Sequence, residues 1–421
     1  MMWYHIFKFE INYRIKRPET YIFFVFLFVF SIVGVDFVFQ GFDFTVVKKN
    51  APLIIAKTMG AITGFFMILA SMIMGVPIIR DFEYNIESLM FVNPIQKRDY
   101  LLGRFLGSFA VLLFVFTGIL FGMIVGQFMP WQDAINFNSF ELLTYLQPFI
   151  IITLPALFFG ACLFFVTGAL SRKLVVVYTQ GIILFVIFLL TKAITNEFVQ
   201  SLLDPFSLTT LTLYTDTWTM TERNFQNIQF AGVLLYNKLF WMILGFVVLL
   251  FGHHKFNFST VKSGRIKRKK LLDNPTEFDD QRKLPEFKLQ YGLKAKWAQL
   301  KHFSWFYFVS VCKQPSFWAI MICGMIIILI NSVNLGTVYG VDSFPATYFI
   351  VEELQETSSY FFIIILVFYS GELIWKEREA DLNLIYDATP MSNFIHIAGK
   401  YLGLLGIYLI LIISLIISGI I

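Results

Sequence analysis

Charged residues are scarce in this chain, and their scarcity excludes a soluble globular protein. Asp, Glu, Lys and Arg make up 14% of the 421 residues, whereas hydrophobic residues make up 57%. Soluble domains carry roughly 25% charged residues. A chain with so few charges cannot cover its surface with polar groups. The composition therefore predicts a polytopic transmembrane protein, and we expect an all-α fold because helices satisfy their own backbone hydrogen bonds in lipid.

Cysteines are few, and the short motifs of several enzyme classes are missing. The three cysteines, Cys162, Cys312 and Cys323, show neither the spacing of a metal site nor that of a disulfide framework. The sequence has no H-E-x-x-H zinc motif and no G-x-x-x-x-G-K-[ST] phosphate-binding loop. We therefore expect no catalytic residue, no metal site and no ATP site in this chain. The N-terminal stretch is too polar for a signal peptide.

Nine apolar runs are long enough to cross a bilayer, which takes about 20 residues per span. Six lie in the first part of the chain, and three follow a polar stretch. The predicted spans are 20–39, 53–78, 101–127, 145–170, 174–193, 232–252, 316–335, 357–375 and 398–421. We interpret the span centres as free of titratable groups. That interpretation argues against an ion-coupled carrier, which places such groups inside its spans.

Basic residues predict the orientation of these spans. Lys and Arg are frequent before the first span, between the second and third, between the fourth and fifth, and after the sixth. Because cytoplasmic loops carry an excess of these residues, we expect all these segments and the N-terminus on the cytoplasmic side. Lys48 and Lys49 lie in a predicted outer loop and are the exception.

A charged segment occurs twice. The chain reads RDFEYNIESLMFVNPIQKRDYLLGRFLG over 80–107 and KEREADLNLIYDATPMSNFIHIAGKYLG over 376–403. A gapless shift of 296 residues aligns the two copies, including Pro94 with Pro390. Upstream, a shift of 297 aligns Pro18 with Pro315, each preceded by an aromatic-rich stretch. Each copy lies between two apolar runs, which is typical of a duplicated membrane unit.

The repeat divides the chain into three parts. We predict a first six-span unit over 1–254, a basic cytoplasmic linker over 255–301 and a second unit over 302–421. Since the first unit has an even number of spans, the two units should have the same orientation in the membrane. We expect them to be related by a rotation axis along the membrane normal. The second unit has only three predicted spans and stops at Ile421, within an apolar run. We therefore expect this sequence to be the first part of a longer protein.

The order of elements in each copy resembles the permease subunits of type 2 ABC transporters. An aromatic-rich amphipathic stretch precedes two spans, and the charged segment then precedes a third. In that family the segment between the second and third spans is a coupling helix that docks on the ATP-binding subunit. The residues that the resemblance implies for coupling are Asp81, Glu83, Asn85, Glu87, Glu377, Glu379, Asp381 and Asn383. An ordinary charged loop is the alternative.

Four glycines follow the charged segments, two in each copy. We interpret them as positions where helices pack closely, because small residues let helix backbones approach in a membrane. They are Gly103, Gly107, Gly399 and Gly403.

The resemblance also implies the partners. A cytoplasmic ABC ATP-binding subunit, in two copies, would hold ATP and Mg, and this chain would hold no cofactor. The chain would be a multi-pass exporter permease of the bacterial cytoplasmic (inner) membrane, in contact with lipid and not with nucleic acid. Its two tandem units are similar to bacterial permeases that are fused to a C-terminal zinc aminopeptidase-like domain. Two alternatives stay open: the membrane anchor of a longer membrane-bound metallopeptidase, and an ion-coupled secondary carrier.

Overall fold

The computed structural model describes residues 2–37, 47–84, 86, 95–191, 194, 196–257, 292–333, 337–338, 341–342, 347–379 and 392–420. Within these residues the fold is all-α, apart from one pair of two-residue antiparallel strands. The predicted helical class is therefore confirmed. The chain divides into two compact units, 1–258 and 259–421.

The described part of the first unit is a succession of helices. They are α1 (Met2–Ile15), α2 (Pro18–Phe37), α3 (Pro52–Phe65), α4 (Met67–Glu83), α5 (Lys97–Gln127), α6 (Leu142–Pro148), α7 (Leu154–Ser171), α8 (Leu174–Thr191), α9 (Glu197–Leu203), α10 (Leu208–Tyr214), α11 (Met220–Phe225) and α12 (Gly232–Lys255). A 3-10 turn covers Ala134–Asn136. A π-helix, Phe149–Thr153, joins α6 to α7.

The second unit repeats the opening of the first. Its elements are α13 (Leu293–Cys312), α14 (Pro315–Val333), β1 (Thr337–Val338), β2 (Val341–Asp342), α15 (Thr347–Glu379) and α16 (Asn393–Ile420). The predicted linker 255–301 is partly helical, because Lys255 ends α12 and α13 begins at Leu293. Residues 258–291 of that linker lie outside the described residues.

Four to six membrane spans fit the described residues. The helical runs Lys97–Gln127, Leu142–Ser171, Gly232–Lys255 and Asn393–Ser418 are long and apolar enough to cross a membrane. Two bent helix pairs raise the number to six if each pair is one span. The predicted nine spans are not confirmed. Large apolar side chains such as Ile243, Leu250 and Ile416 are 60%, 69% and 57% exposed, and an apolar surface of this kind suits contact with lipid.

Both bent pairs have a local cause. α1 meets α2 at 70°, and α2 begins at Pro18, a residue that favours the first position of a helix. α3 meets α4 at 50°, where the backbone of Phe66 adopts φ −92° and ψ 15° and leaves the helical region. The predicted span 53–78 is therefore broken at Phe66, and a sharp turn separates α1 from the predicted first span.

Glycines let α5 approach α1 and α2 closely. A Cβ at Gly103 would lie 2.7 Å from a backbone oxygen of α1, and one at Gly107 would lie 2.7 Å from the Cβ of Glu10. Farther along α5, a Cβ at Gly122 would lie 2.4 Å from the carbonyl oxygen of Phe28. Non-bonded carbon atoms pack at about 3.5–4.0 Å, so these positions have no room for a side chain.

The same close contact recurs in the second unit, between α13 and α16. A Cβ at Gly399 would lie 3.0 Å from the Cβ of Phe303, and one at Gly403 would lie 2.9 Å from the Cβ of Tyr307. The repeat register relates these contacts to those between α5 and α1. All four glycines that the sequence suggested for packing therefore lie at close helix crossings.

Gly122→Ala should destabilise the first unit. Overpacking of this kind costs roughly 1–3 kcal/mol, because the new methyl group meets backbone of α2 rather than a side chain that can turn away. Thermal unfolding in detergent measures the effect as a lower Tm. The control is Gly34→Ala on α2, whose Cβ would lie 3.7 Å from its nearest neighbour. An equal Tm for the two variants would contradict the packing argument.

Candidate functional site

A buried cluster of charged side chains lies where α1, the end of α4 and the start of α5 meet. We call it the first ionic cluster, and its members are Glu10, Arg14, Arg80, Asp81, Tyr100 and Arg104. All are buried, with at most 8% of each residue exposed. Because a buried charge is costly unless it is paired and hydrogen-bonded, the arrangement depends on partners that different helices supply.

Glu10 is the centre of the first ionic cluster. Its carboxylate accepts a hydrogen bond from Arg14 Nε at 3.1 Å, one from Arg80 Nη2 at 2.8 Å and one from Arg104 Nη1 at 2.5 Å. Arg14 lies one turn after Glu10 on α1, a spacing that lets the two side chains meet. Arg80 and Arg104 come from α4 and α5, so a single carboxylate connects three helices.

Asp81 pairs with the other side of Arg104. Nη2 of Arg104 donates to both carboxylate oxygens of Asp81 at 2.8 Å, and the Tyr100 hydroxyl donates to Oδ2 at 2.7 Å. Tyr100 and Arg104 lie one turn apart on α5, so both side chains reach the end of α4. Arg104 thus bridges two buried carboxylates, and hydrogen bonds of this charge-assisted kind are the strong ones.

The second unit builds a smaller cluster at equivalent positions. This second ionic cluster consists of Tyr307, Glu377, His396 and Lys400. Glu377 accepts hydrogen bonds from the Tyr307 hydroxyl at 2.5 Å and from Lys400 Nζ at 2.9 Å, and His396 Nε2 lies 2.7 Å from its Oε2. The residues paired by the repeat shifts of 296 and 297 are Asp81 with Glu377, Tyr100 with His396, Arg104 with Lys400, and Glu10 with Tyr307.

The second ionic cluster carries less charge and lies nearer to solvent. Tyr307 stands where the first cluster has Glu10, and the side chains of Glu377 and Lys400 are 15% and 11% exposed. Burial raises the pKa of Glu377, but hydrogen bonds from Tyr307, Lys400 and His396 lower it, and the net pKa lies below the ordinary value. The Glu377 carboxylate therefore contributes stability above its ordinary pKa, and this contribution is lost as the pH falls through the lowered value.

The predicted coupling residues fall into three groups. Asp81 and Glu377 belong to the two ionic clusters, where their carboxylates bond to neighbouring helices. Glu83 is exposed at the end of α4, and Glu379 is the last residue of α15. The residues that lie outside the described residues are Asn85, Glu87, Asp381 and Asn383. Coupling stays a prediction for the whole set, and Asp81 and Glu377 have a positioning role that the sequence did not suggest.

Sequence reasoning missed most members of the two clusters, although the repeat contained a signal for them. In each copy an acid and a base lie 23 residues apart, Asp81 with Arg104 and Glu377 with Lys400. An acid and a base at the same separation in both copies predict a repeated ion pair. The sequence indicated Glu10 less strongly, because the only feature that pointed to it was its spacing of four residues from Arg14.

Sequence reasoning also overlooked a buried lysine within the predicted span 232–252. Lys238, in the second turn of α12, is 1% exposed, and its Nζ donates to the carbonyl oxygen of Ile152 at 3.3 Å. Ile152 belongs to the π-helix between α6 and α7, a local irregularity that is frequent at functional sites. The buried carboxylate of Asp204 attracts the lysine electrostatically.

The described residues hold no group of three or more His, Cys, Asp or Glu side chains placed to bind a metal ion. No family model matches the chain, and no curated protein and no solved structure matches it significantly. The resemblance to ABC permeases therefore stays a prediction.

Replacing Arg104 with Met should destabilise the protein more than replacing Lys400 with Met. Arg104→Met leaves two buried carboxylates short of a cation, and breaking a buried pair costs roughly 3–5 kcal/mol. Lys400→Met should lower the free energy of unfolding less, because Lys400 bonds to a single carboxylate, that of Glu377, which is partly exposed to solvent. Thermal unfolding of both variants in the same detergent measures the difference. Equal losses of Tm would show that the first ionic cluster is not the stronger anchor.

Proposed function

We propose that this chain is the transmembrane permease component of a type 2 ABC transporter, an exporter that works with separate ATP-binding subunits. The repeated ionic cluster supports this proposal. In each unit, a cluster joins the helix before the charged segment, the helix after it and the aromatic-rich first helix of the unit. If the ATP-binding subunit moves the charged segment, the cluster can transmit that movement to the three helices that it joins.

The bonds of the first ionic cluster give a route for that movement. Displacement of segment 84–96 acts on the end of α4 and, through Asp81 and Arg104, on the start of α5. Glu10 then links the same movement to α1. In the second unit, Glu377 and Lys400 connect α15 to α16 in the same manner. Two such segments suit two copies of the ATP-binding subunit, each holding its own ATP and Mg.

The proposed location is the bacterial inner membrane, with the N-terminus and both charged segments in the cytoplasm. The four to six apolar helices fit a membrane protein, and the distribution of Lys and Arg supports this orientation. Both segments then face the compartment that supplies ATP.

Reversing the charge of Glu83 and Glu379 together should uncouple the partner ATPase. Glu83 is exposed at the end of α4, so Glu83→Lys changes the charge that a docking partner meets while all six residues of the first ionic cluster are kept. We expect Glu83→Lys with Glu379→Lys to insert normally and to lose ATPase stimulation, measured in proteoliposomes with the co-purified ATPase. The matched control is Glu141→Lys, an exposed acid of the predicted outer loop 128–144.

Affinity purification of the full-length protein from its native membrane identifies the partner needed for this assay. Recovery of a stoichiometric cytoplasmic ATPase that is lost only in the double variant supports the proposal. Purification without any ATPase, or equal stimulation by the double variant and Glu141→Lys, contradicts it.

An ion-coupled carrier is the second candidate function, and Lys238 favours it. Ionisable residues inside spans are rare and often mark ion or proton pathways. Lys238 lies in α12, is almost fully buried and bonds to a carbonyl of the π-helix. Its neighbour Asn237 donates to the backbone oxygens of Ser201 and Asp204 at 2.8 Å, so buried polar groups surround the lysine.

Lys238→Met separates the two candidates. The variant removes a partner of the Ile152 carbonyl and a cation near the buried Asp204 carboxylate, which costs stability. Asp204 keeps its hydrogen bonds from Phe206, Ser207 and Thr209, so we expect a lower Tm and a variant that still folds. Under the permease proposal, ATPase stimulation by the variant should equal that of the natural chain. A folded variant that has lost transport and its response to an imposed pH gradient would favour the carrier instead.

A further inference from the structure

A cavity of about 380 Å³ opens beside the first ionic cluster. Arg80 and Arg104 reach it from α4 and α5, and α1 lines it with Phe9 and Tyr13. The cavity lies near the 70° bend between α1 and α2. Because α2 begins the first predicted span, the mouth of the cavity falls at the expected boundary between membrane and water.

Two buried guanidinium groups beside this cavity each have one donor without a partner. Nη1 of Arg80 and Nε of Arg104 are buried and have no hydrogen-bond partner among the described residues. The side chain of Arg80 is 9% exposed, and that of Arg104 is 2% exposed. Buried polar groups normally have a partner, so these two arginines, which line the cavity, carry more hydrogen-bonding capacity than Glu10 and Asp81 use.

Tyr13 is in contact with two cations. The Cζ atom of Arg80 lies 4.1 Å from the centroid of its ring, and that of Arg17 lies 4.8 Å away. Arg17 also donates from Nη2 to the Tyr13 hydroxyl at 2.5 Å. Both guanidinium groups therefore lie beside the same ring, and an anion near that ring is attracted by both.

The charges around the cavity leave an excess of cations. Glu19, on α2, is the acid that acts on Arg14 and Arg17 from outside the first ionic cluster. With it included, the four cations Arg14, Arg17, Arg80 and Arg104 stand against the three acids Glu10, Glu19 and Asp81. Among these seven side chains the cations outnumber the acids by one, and Glu83, the next acid along α4, is exposed.

Exposed apolar side chains lie at the mouth of the cavity, together with the exposed His5 and Arg17. Met2, Phe9 and Ile86 are 43%, 55% and 41% exposed there. A free phosphate ion would leave these side chains uncovered, whereas an acyl chain would cover them. Basic pockets next to membrane helices are typical binding sites for anionic lipid headgroups.

We propose that this cavity binds one anionic membrane phospholipid. Arg80 and Arg17 hold its phosphate, and an acyl chain lies along the exposed apolar side chains of α1. The bound lipid fixes α1 against α4, and this role does not depend on the transport function proposed above.

Three positions of the site differ between the two repeats. The shift of 297 residues brings Tyr13, Arg14 and Arg17 onto positions that carry neither an aromatic ring nor a cation. The residues there are Ser310, Val311 and Gln314. Gln314 donates to Glu372 at 2.5 Å.

Native mass spectrometry of the purified full chain in neutral detergent tests this proposal. The protein is titrated with phosphatidylglycerol and, separately, with phosphatidylcholine, with and without inorganic phosphate. The variants are Arg80→Gln and Arg17→Gln. Arg17 is exposed and lies outside the first ionic cluster, so Arg17→Gln stays informative even if Arg80→Gln fails to fold. Lys16→Gln is the control, because it removes an exposed cation of the same chain turn that does not line the cavity.

We expect the natural chain to retain one phosphatidylglycerol molecule tightly. Each arginine variant should bind it about tenfold more weakly, because each loses one charge-assisted hydrogen bond. Lys16→Gln should bind it like the natural chain. Equal retention by all variants, or equal binding of phosphatidylcholine, would overturn the proposal. Displacement of the lipid by inorganic phosphate would also overturn it, since the site would then recognise a free anion.

Discussion

Arg104 bridges Glu10 and Asp81, and the organisation of the first unit depends on this bridge. A guanidinium group buried among apolar helices needs anionic partners, because the cost of removing it from water is recovered only through good geometry. Glu10 and Asp81 provide that pairing from two different helices, and Gly103 and Gly107 let α1 lie close enough for Glu10 to reach it. The ionic cluster and the glycine crossing are therefore one structural device.

The second unit retains this device in a weaker form. Glu377 and Lys400 preserve the pairing of an acid with a base, while Tyr307 takes the place of Glu10 and removes one charge. Gly399 and Gly403 keep the close crossing of α13 and α16. The two units share an acid–base pair that connects the helices before and after the charged segment. What distinguishes them is the number of arginines: Arg14, Arg17, Arg80 and Arg104 lie at or near the cluster of the first unit, and Lys400 is the cation bonded to Glu377 in the second.

Much of the architecture could be predicted from the sequence, and much of the candidate site could not. The scarcity of charge predicted apolar helices, and the repeat predicted where they recur. The polar positions were harder, because a charged residue next to an apolar run reads equally well as a solvated loop or as a buried partner. Asp81 was expected to face a partner subunit, yet its carboxylate lies within the first ionic cluster. Lys238 was overlooked because one lysine hardly changes the hydropathy of a long apolar run.

The sequence by itself determined that the chain is helical, rich in membrane-compatible helices and internally repeated, because composition and periodicity are properties of the chain alone. It also determined the 23-residue separation of acid and base that recurs in both copies. Only the tertiary structure decided which charges pair. Glu10 meets Arg104 across 94 residues, and Lys238 meets Ile152 across 86 residues. Contacts at such separations depend on how helices cross, and no local pattern in the chain encodes that crossing.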